Sequence, residues 1–195
     1  MKILVVGDKE SSYIWDHFDR ERFRDVRLVI STGDLCAEYL SFIVTMLNVP
    51  LVYVPGNHDE AFVENPPEGC ENIDGKIFTF DGLTILGLGG SRRYKAGPFQ
   101  YNDFQMGMRV KKLGLKLWKR KKIDILVAHS PAKGLGDGKD LCHQGFPVFN
   151  ALLDKYRPKY FLHGHHHLSY CARERVTHYN GTTIINSEGY YIFEY

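Results

Sequence analysis

An apolar run ends directly on an acidic residue in the stretch Lys2-Ile3-Leu4-Val5-Val6-Gly7-Asp8. Such a run is typical of a strand that a sheet buries on both faces. Asp, Asn or His residues follow further apolar runs in the same way, at Gly33-Asp34, Gly56-Asn57-His58-Asp59, His129 and Gly164-His165-His166-His167. In open α/β sheets, ligands bind outside the carboxyl ends of the strands, so these five places are expected to converge on one crevice.

Helical patterns separate most of the apolar runs, which predicts βαβ units. We expect helices at Ser12–Phe23, Leu35–Leu47, Asn102–Lys122 and Phe146–Tyr156, and strands at Lys2–Gly7, Val26–Ser31, Leu51–Val54, Ile123–Ala128 and Lys159–Leu162. Because no break in composition divides the chain, residues 1–195 are expected to form a single domain.

Two dipeptides carry the residues of type I′ hairpin turns, Asp81-Gly82 and Asn180-Gly181. The first predicts a hairpin of Lys76–Phe80 and Leu83–Leu88. The second lies in an expected terminal meander of Tyr170–His178, Thr182–Asn186 and Tyr190–Tyr195. Irregular loops are expected at Gly56–Gly75, Gly89–Tyr101 and Pro131–Gln144, where Gly, Pro and polar residues collect.

Composition excludes several classes of protein. The 195 residues include 25 Lys+Arg and 23 Asp+Glu, and a net charge of +2 argues against a generic polyanion binder. The apolar run at the start is too short for a signal peptide or a membrane span, so we expect a cytoplasmic protein without a membrane partner. The cysteines fit neither a metal knuckle nor a disulfide scaffold and are expected to be reduced thiols: Cys36, Cys70, Cys142 and Cys171.

Carboxylate oxygens, an amide oxygen and imidazoles together suit a borderline divalent ion such as Mn²⁺, Fe²⁺ or Zn²⁺. The order D-x-(H), G-D, G-N-H-D, H, G-H-x-H resembles the calcineurin-like metallophosphoesterase family over nearly the whole chain. The stretch from Cys142 to His167 resembles its smaller phosphodiesterase-like branch. The resemblance implies a four-layer α/β/β/α sandwich of two mixed sheets flanked by helices.

The resemblance also implies two divalent metal ions, bridged by a carboxylate and a hydroxide, that hydrolyse phosphoesters. By motif position, Asp8 and His167 would hold the first ion, Asn57, His129 and His165 the second, and Asp34 would bridge them. The bridging hydroxide would be the nucleophile. His58 would be the general acid, and Asn57 would help to orient the phosphate.

Two positions depart from the family pattern. Glu10 stands where the family has a metal-binding histidine, and its ligation would favour Mn²⁺ or Fe²⁺ over Zn²⁺. Zn²⁺, Ni²⁺ and Mg²⁺ are the other candidate ions. If Glu10 turns away, the first ion binds weakly. Ala37 stands where some members carry an acid that orients the catalytic histidine, which leaves Asp59 or Glu38 as substitutes.

The expected function is a phosphodiesterase that acts on small nucleotide-like phosphoesters. Arg92 and Arg93 are candidate substrate contacts because guanidinium groups bind phosphate. The alternatives are a binding or scaffold protein with a degraded first site, and a nuclease assisted by the basic stretch 111–122. For that stretch we favour a solvated helix whose apolar side packs on the sheet. Exposed terminal strands leave room for a homodimer.

Overall fold

A computed structural model describes residues 1–168 and 174–195. Two large mixed sheets form its centre. The first has the strand order β13-β1-β2-β3-β4, and its strands are β1 (Lys2–Gly7), β2 (Val26–Ser31), β3 (Leu51–Tyr53), β4 (Glu71–Asn72) and β13 (Gly189–Glu194). Strands β1 to β4 pair in parallel, and β13 pairs antiparallel with β1.

The second sheet has the order β11-β12-β10-β9-β6-β5. Its strands are β5 (Lys76–Phe80), β6 (Leu83–Leu88), β9 (Ile125–Ala128), β10 (Tyr160–His163), β11 (Val176–Tyr179) and β12 (Thr182–Asn186). Parallel pairing joins β6, β9, β10 and β12, whereas β5 and β11 are antiparallel edges. The carboxyl ends of β9 and β10 therefore lie side by side.

Helices cover both outer faces, as in the expected four-layer sandwich. Helix α2 (Ala37–Leu47) packs on the first sheet, while α3 (Asp103–Lys112), α4 (Gly114–Arg120) and α5 (Pro147–Tyr156) pack on the second. A third apolar core lies between the sheets and includes Ile30 and Ile125. The two sheets thus hold their strand ends in fixed relation to one another.

Both hairpin predictions are confirmed, because each turn has two residues of positive φ. Asp81 and Gly82 have φ of 48° and 80°, and Asn180 and Gly181 have φ of 49° and 85°. The predicted start of the terminal meander at Tyr170 lies outside the described residues. The strand that follows is described from Val176.

The predicted helix Ser12–Phe23 is wrong. Helix α1 covers Ser12–Trp15, and a separate 3-10 turn covers Arg20–Phe23. The packing of two aromatic rings and a helix cap at Asp19 outweigh the helical pattern of the sequence. The ring of Phe18 stacks on Phe23 at 5.7 Å, and the side chain of Asp19 accepts the Glu21 N–H.

The single helix predicted for Asn102–Lys122 is two helices. Asn102 caps α3 through a capping box with Gln105. The first helix ends before Leu113, however, and a second helix begins at Gly114, a poor helix former. Leu117 is buried, yet Leu115 and Trp118 are 78% and 72% exposed. The prediction that the apolar side of this stretch packs on the sheet is therefore only partly right. The loop Gly89–Tyr101 contains a parallel pair of two-residue strands, β7 (Ser91–Arg92) and β8 (Gln100–Tyr101).

Among residues 1–168 and 174–195, no helix has the length and apolar character needed to cross a membrane. Three of the cysteines, Cys36, Cys70 and Cys142, are free thiols, as predicted. Cys171 lies outside the described residues.

Two leucines on outer helices give a matched test of the fold. Leu153 on α5 is fully buried, whereas Leu115 on α4 is 78% exposed. We expect Leu153→Ala to lower the free energy of unfolding by about 2–5 kcal/mol, because it opens a cavity in the core. Leu115→Ala should change it by no more than about 0.5 kcal/mol. Urea unfolding followed by circular dichroism measures both, and equal effects would contradict this difference in burial.

Candidate metal centre

The five polar places predicted at strand ends meet at one edge of the sandwich. Three of their residues have left-handed backbone, with φ of 58° at Asp8, 56° at Asp34 and 68° at His165. Residues other than glycine rarely adopt this conformation, and it is common at functional sites.

Two glycines allow the close approach that the centre needs. A Cβ atom on Gly164 would overlap the Asp8 carboxylate, and one on Gly56 would overlap the Asp34 carboxylate. Larger residues at either position would push a carboxylate out of place. The glycines of the G-N-H-D and G-H-x-H motifs therefore serve packing around the acids.

Three donor atoms converge on the fully buried His129. Its Nε2 atom lies 3.0 Å from Asn57 Oδ1, 3.1 Å from His165 Nδ1 and 3.3 Å from Asp34 Oδ2. These residue types at these separations form a group that could hold a metal ion. The structure thus brings together all the residues predicted for the second ion, with the predicted bridging aspartate beside them.

Backbone carbonyls fix which nitrogen of each histidine faces the centre. The Thr32 carbonyl lies 2.9 Å from His129 Nδ1, and the Cys142 carbonyl lies 2.6 Å from His165 Nε2. A carbonyl can only accept, so those nitrogens carry the protons. In the neutral rings, the lone pairs of His129 Nε2 and His165 Nδ1 point inward. Such outer partners are typical of metal-binding histidines.

The pKa values of these groups reflect a buried excess of negative charge. Burial opposes the charge of His129, but the Asp34 carboxylate outweighs it and raises the pKa of the imidazole to about 9. Burial likewise opposes ionisation of Asp34, yet His129 holds the pKa of that carboxyl below its usual range. For His165, burial and the charge of His129 lower the pKa to about 3. Protonated His129 thus supplies the positive charge beside Asp34 that a bound metal cation would supply.

Asp8 belongs to the first predicted metal position. Its Oδ1 atom accepts the backbone N–H of His165 at 2.7 Å. Its Oδ2 atom is buried and has no hydrogen-bond partner in the described part of the chain. Burial raises the pKa of this carboxyl to about 6. A buried carboxylate oxygen without a partner is costly unless a cation satisfies it, so Asp8 fits a metal ligand.

His167 is held by an acid that the sequence did not single out. Its Nδ1 atom lies 2.8 Å from Glu188 Oε1, and Glu188 Oε2 accepts the Leu168 N–H. Carboxylate–histidine pairs of this kind orient metal ligands. Glu188 follows Asn186 at the end of β12, so the same rule of polar residues at strand ends could have found it.

Glu10 is exposed beside Asp8. Its carboxylate accepts the Cys36 N–H at 3.4 Å, and it faces a cleft of about 730 Å³ that Asp8, Asp34, His58 and Glu38 also line. The side chain therefore lies at the edge of the first metal position, where the Cys36 N–H holds it. Its ligation stays a prediction.

His58 lines this cleft with an exposed ring, and its backbone N–H donates to Asp34 Oδ1 at 2.8 Å. Asp59, expected to orient the ring, instead accepts the backbone N–H groups of Asp34 and Gly56 through Oδ2. Asp59 thus supports the bridging aspartate. Within residues 1–168 and 174–195, the His58 ring has no hydrogen-bond partner, Glu38 included.

The two candidate substrate arginines contact helix α3. Arg92 binds both carboxylate oxygens of Asp103 at 2.6 Å, and Arg93 donates to Gln105 at 3.1 Å. Their role in substrate binding stays a prediction. From the same loop, the hydroxyl of Tyr94 accepts the Asn57 amide N–H at 3.2 Å, so Tyr94 is the loop residue that reaches the centre.

His163 and His166 are also buried. His163 Nδ1 lies 3.0 Å from the Gly164 carbonyl, and the ring of His166 packs 5.3 Å from that of His143. They line the base of the G-H-x-H turn.

Comparisons with known proteins agree with this geometry. One solved structure aligns with a TM-score of 0.67 over 98% of this chain and 93% of its own, at 13% identity. The structure of TT1561 from Thermus thermophilus aligns with a TM-score of 0.63 over 96% of this chain and 89% of its own, at 16% identity. At these identities the likeness shows the fold.

A novel archaeal phosphodiesterase aligns over 97% of this chain and 84% of its own, at 15% identity and a TM-score of 0.44. No curated protein matches the sequence. The sequence model of the calcineurin-like phosphoesterase family matches residues 1–169, which span every motif of the centre up to His167. The chain belongs to the calcineurin-like phosphoesterase family.

Proposed function

We propose that the protein is a metal-dependent phosphodiesterase that hydrolyses small, nucleotide-like phosphoesters. The observation that carries the proposal is the convergence of Asn57, His165 and Asp34 on the buried Nε2 atom of His129. Membership of the family supports phosphoester hydrolysis, and the donor set supports a divalent ion.

The residues divide between two metal positions that share Asp34. Asn57, His129 and His165 would hold one ion, and Asp8 and His167, with Glu10, the other. Two divalent ions, with Mn²⁺ or Fe²⁺ preferred, would supply an activated water as nucleophile and stabilise charge on the phosphate. The chain's part is to keep these donors buried and fixed, through Thr32, Cys142 and Glu188.

His58 is the proposed general acid. Its backbone is tied to Asp34, and its ring faces the cleft beside the metal positions. An imidazole there can donate a proton to the leaving oxygen. The side chain of Asp59 contributes by holding the backbone of Asp34 and Gly56 in place.

The size and the lining of the cleft favour a small diester over a protein as the substrate. Leu35, Ala61 and Phe62 also line the cleft and give it apolar surface on which a base or other leaving group can pack. Asn57, held by Tyr94, would present its amide to the phosphate.

Hydrolysis assays test the proposal directly. Chelator-treated protein should regain turnover of bis-p-nitrophenyl phosphate with Mn²⁺ or Fe²⁺, and exceed its turnover of p-nitrophenyl phosphate. His58→Ala should lower kcat by about 10²–10⁴ on a diester with an alkoxide leaving group, because that oxygen needs a proton. The loss should be smaller with p-nitrophenolate, which leaves unprotonated.

His17→Ala is the matched control, because His17 is an exposed histidine away from the cleft. It should leave both rates unchanged. Absence of turnover with Mn²⁺, Fe²⁺, Ni²⁺, Zn²⁺ and Mg²⁺, despite tight binding of an ion, would overturn the enzyme and favour the scaffold role.

Metal binding should release protons near neutral pH. His129, with a pKa of about 9, is protonated at pH 7 and must lose its proton to become a ligand. Below pH 9 the proton competes with the ion, so affinity should rise about tenfold per pH unit between pH 7 and 9. Calorimetric titration with Mn²⁺ in two buffers of different ionisation enthalpy counts the protons. A heat that is independent of the buffer at pH 7 would argue against this charge balance.

Two matched substitutions, at Glu10 and at Glu38, test whether Glu10 is a metal ligand. If Glu10 is a ligand, Glu10→Gln should weaken the first ion by at least about tenfold. Glu38→Gln, a change of an acid on the wall of the same cleft, should have little effect. Two-site Mn²⁺ titration separates the affinities. A gain in turnover with Glu10→His, without loss in Glu10→Gln, would show that Glu10 does not ligate.

A further inference from the structure

A second group of metal-type donors lies outside this centre, on the 3-10 turn Leu141–His143. Its members are the carboxylate of Asp140, the thiol of Cys142 and the imidazole of His143. Cys142 Sγ lies 2.8 Å from Asp140 Oδ2 and 3.3 Å from His143 Nδ1, and His143 Nδ1 lies 2.6 Å from the same carboxylate oxygen. Three different donor atoms thus face one point.

The backbone holds these donors in register. The His143 carbonyl accepts the Gly138 N–H at 2.8 Å, and the Asp140 carbonyl accepts the N–H groups of His143 and Gln144. Asp137 accepts the Gly145 N–H at 3.0 Å and closes the turn. A short segment with its ends tied in this way needs little rearrangement to chelate an ion.

The chemistry of the group differs from that of the main centre. Thiolate, imidazole and carboxylate are the ligands of Zn²⁺ sites, whereas the main centre offers only nitrogen and oxygen. Asp140 is exposed, and Cys142 and His143 are half-buried, so an ion can enter from solvent and keep a water as fourth ligand. We propose that Asp140, Cys142 and His143 bind one thiophilic divalent cation, Zn²⁺ being the natural choice.

Binding of the ion to these three residues needs no reactant other than solvent, which takes up a proton. The Cys142 thiol gives its proton to solvent, and the thiolate forms the bond to the ion. The proton that His143 Nδ1 donates to Asp140 moves to Nε2 through solvent, so that Nδ1 presents a lone pair to the ion. The Asp140 oxygen exchanges two hydrogen bonds for one bond to the ion, and one proton is released per ion bound.

This site is one hydrogen bond away from the main centre. The Cys142 carbonyl accepts the Nε2–H of His165 at 2.6 Å, and the His143 ring lies 5.2 Å from the His165 ring. An ion on the turn would fix the carbonyl that orients this ligand. The proposed site is defined by its own donors, however, and stands whether or not the main centre hydrolyses phosphoesters.

Cobalt substitution distinguishes the two sites, because only a thiolate ligand gives a sulfur-to-cobalt charge-transfer band in the near ultraviolet. Co²⁺ added to saturation to the reduced protein should produce this band with the intensity of one cobalt–thiolate bond per chain. Cys142→Ser should abolish it, and Asp140→Asn should weaken Co²⁺ binding by at least about tenfold while keeping the thiol. Zn²⁺ added in competition should bleach the band.

Two controls separate this proposal from the function proposed above. The exposed thiol of Cys36 is a matched control, so Cys36→Ser should keep the band. His129→Ala should also keep it, although that change removes the main centre. A band that survives Cys142→Ser, or none at all in protein that binds Co²⁺ at the main centre, would overturn the site. Circular dichroism of each variant excludes loss of fold as the cause.

Discussion

The buried imidazole of His129 is the point on which the centre depends. It lies at the end of β9, and its Nδ1–H is tied to the Thr32 carbonyl, which follows β2 in the other sheet. This hydrogen bond links the carboxyl ends of the two sheets, as does the one from the His165 N–H to Asp8. It also fixes the direction of Nε2, toward which the other ligands point. The packing between the sheets therefore sets the geometry of the centre, because a shift of either sheet would move this nitrogen.

The geometry of the centre is maintained against backbone strain and buried charge. Asp8, Asp34 and His165 all occupy left-handed backbone, which costs on the order of 1 kcal/mol or more per residue. Asp8 also keeps a buried carboxylate oxygen without a partner in the described residues. Such costs persist when the surrounding structure fixes them and a ligand offsets them. A divalent cation would offset the buried negative charge of these carboxylates.

The sequence predicted the sheets better than the helices. Strands β1, β2, β5, β6 and β12 lie where the apolar runs and turn dipeptides place them, because buried strands and type I′ turns have local signals. The helix expected from Ser12 failed because the packing of Phe18 on Phe23 is a tertiary contact. For the centre, the order of the motifs along the chain was enough to predict that Asp8, Asp34 and His129 lie at strand ends. The partner Thr32 could not be predicted in this way, because its contact with His129 depends on which strands become neighbours in space.

The two aspartates near Asn57 show how environment separates similar groups. Asp34 and Asp59 are joined by a hydrogen bond from the Asp34 N–H. His129 holds the pKa of Asp34 below its usual range despite burial, whereas burial and the charge of Asp34 raise the pKa of Asp59 to about 6. Opposite shifts in adjacent carboxyls mark different roles. Asp34 remains charged and faces the imidazoles as a ligand would. Asp59 accepts two backbone N–H groups through one oxygen, so its position in the G-N-H-D motif serves to hold the loop that carries Asn57 and His58.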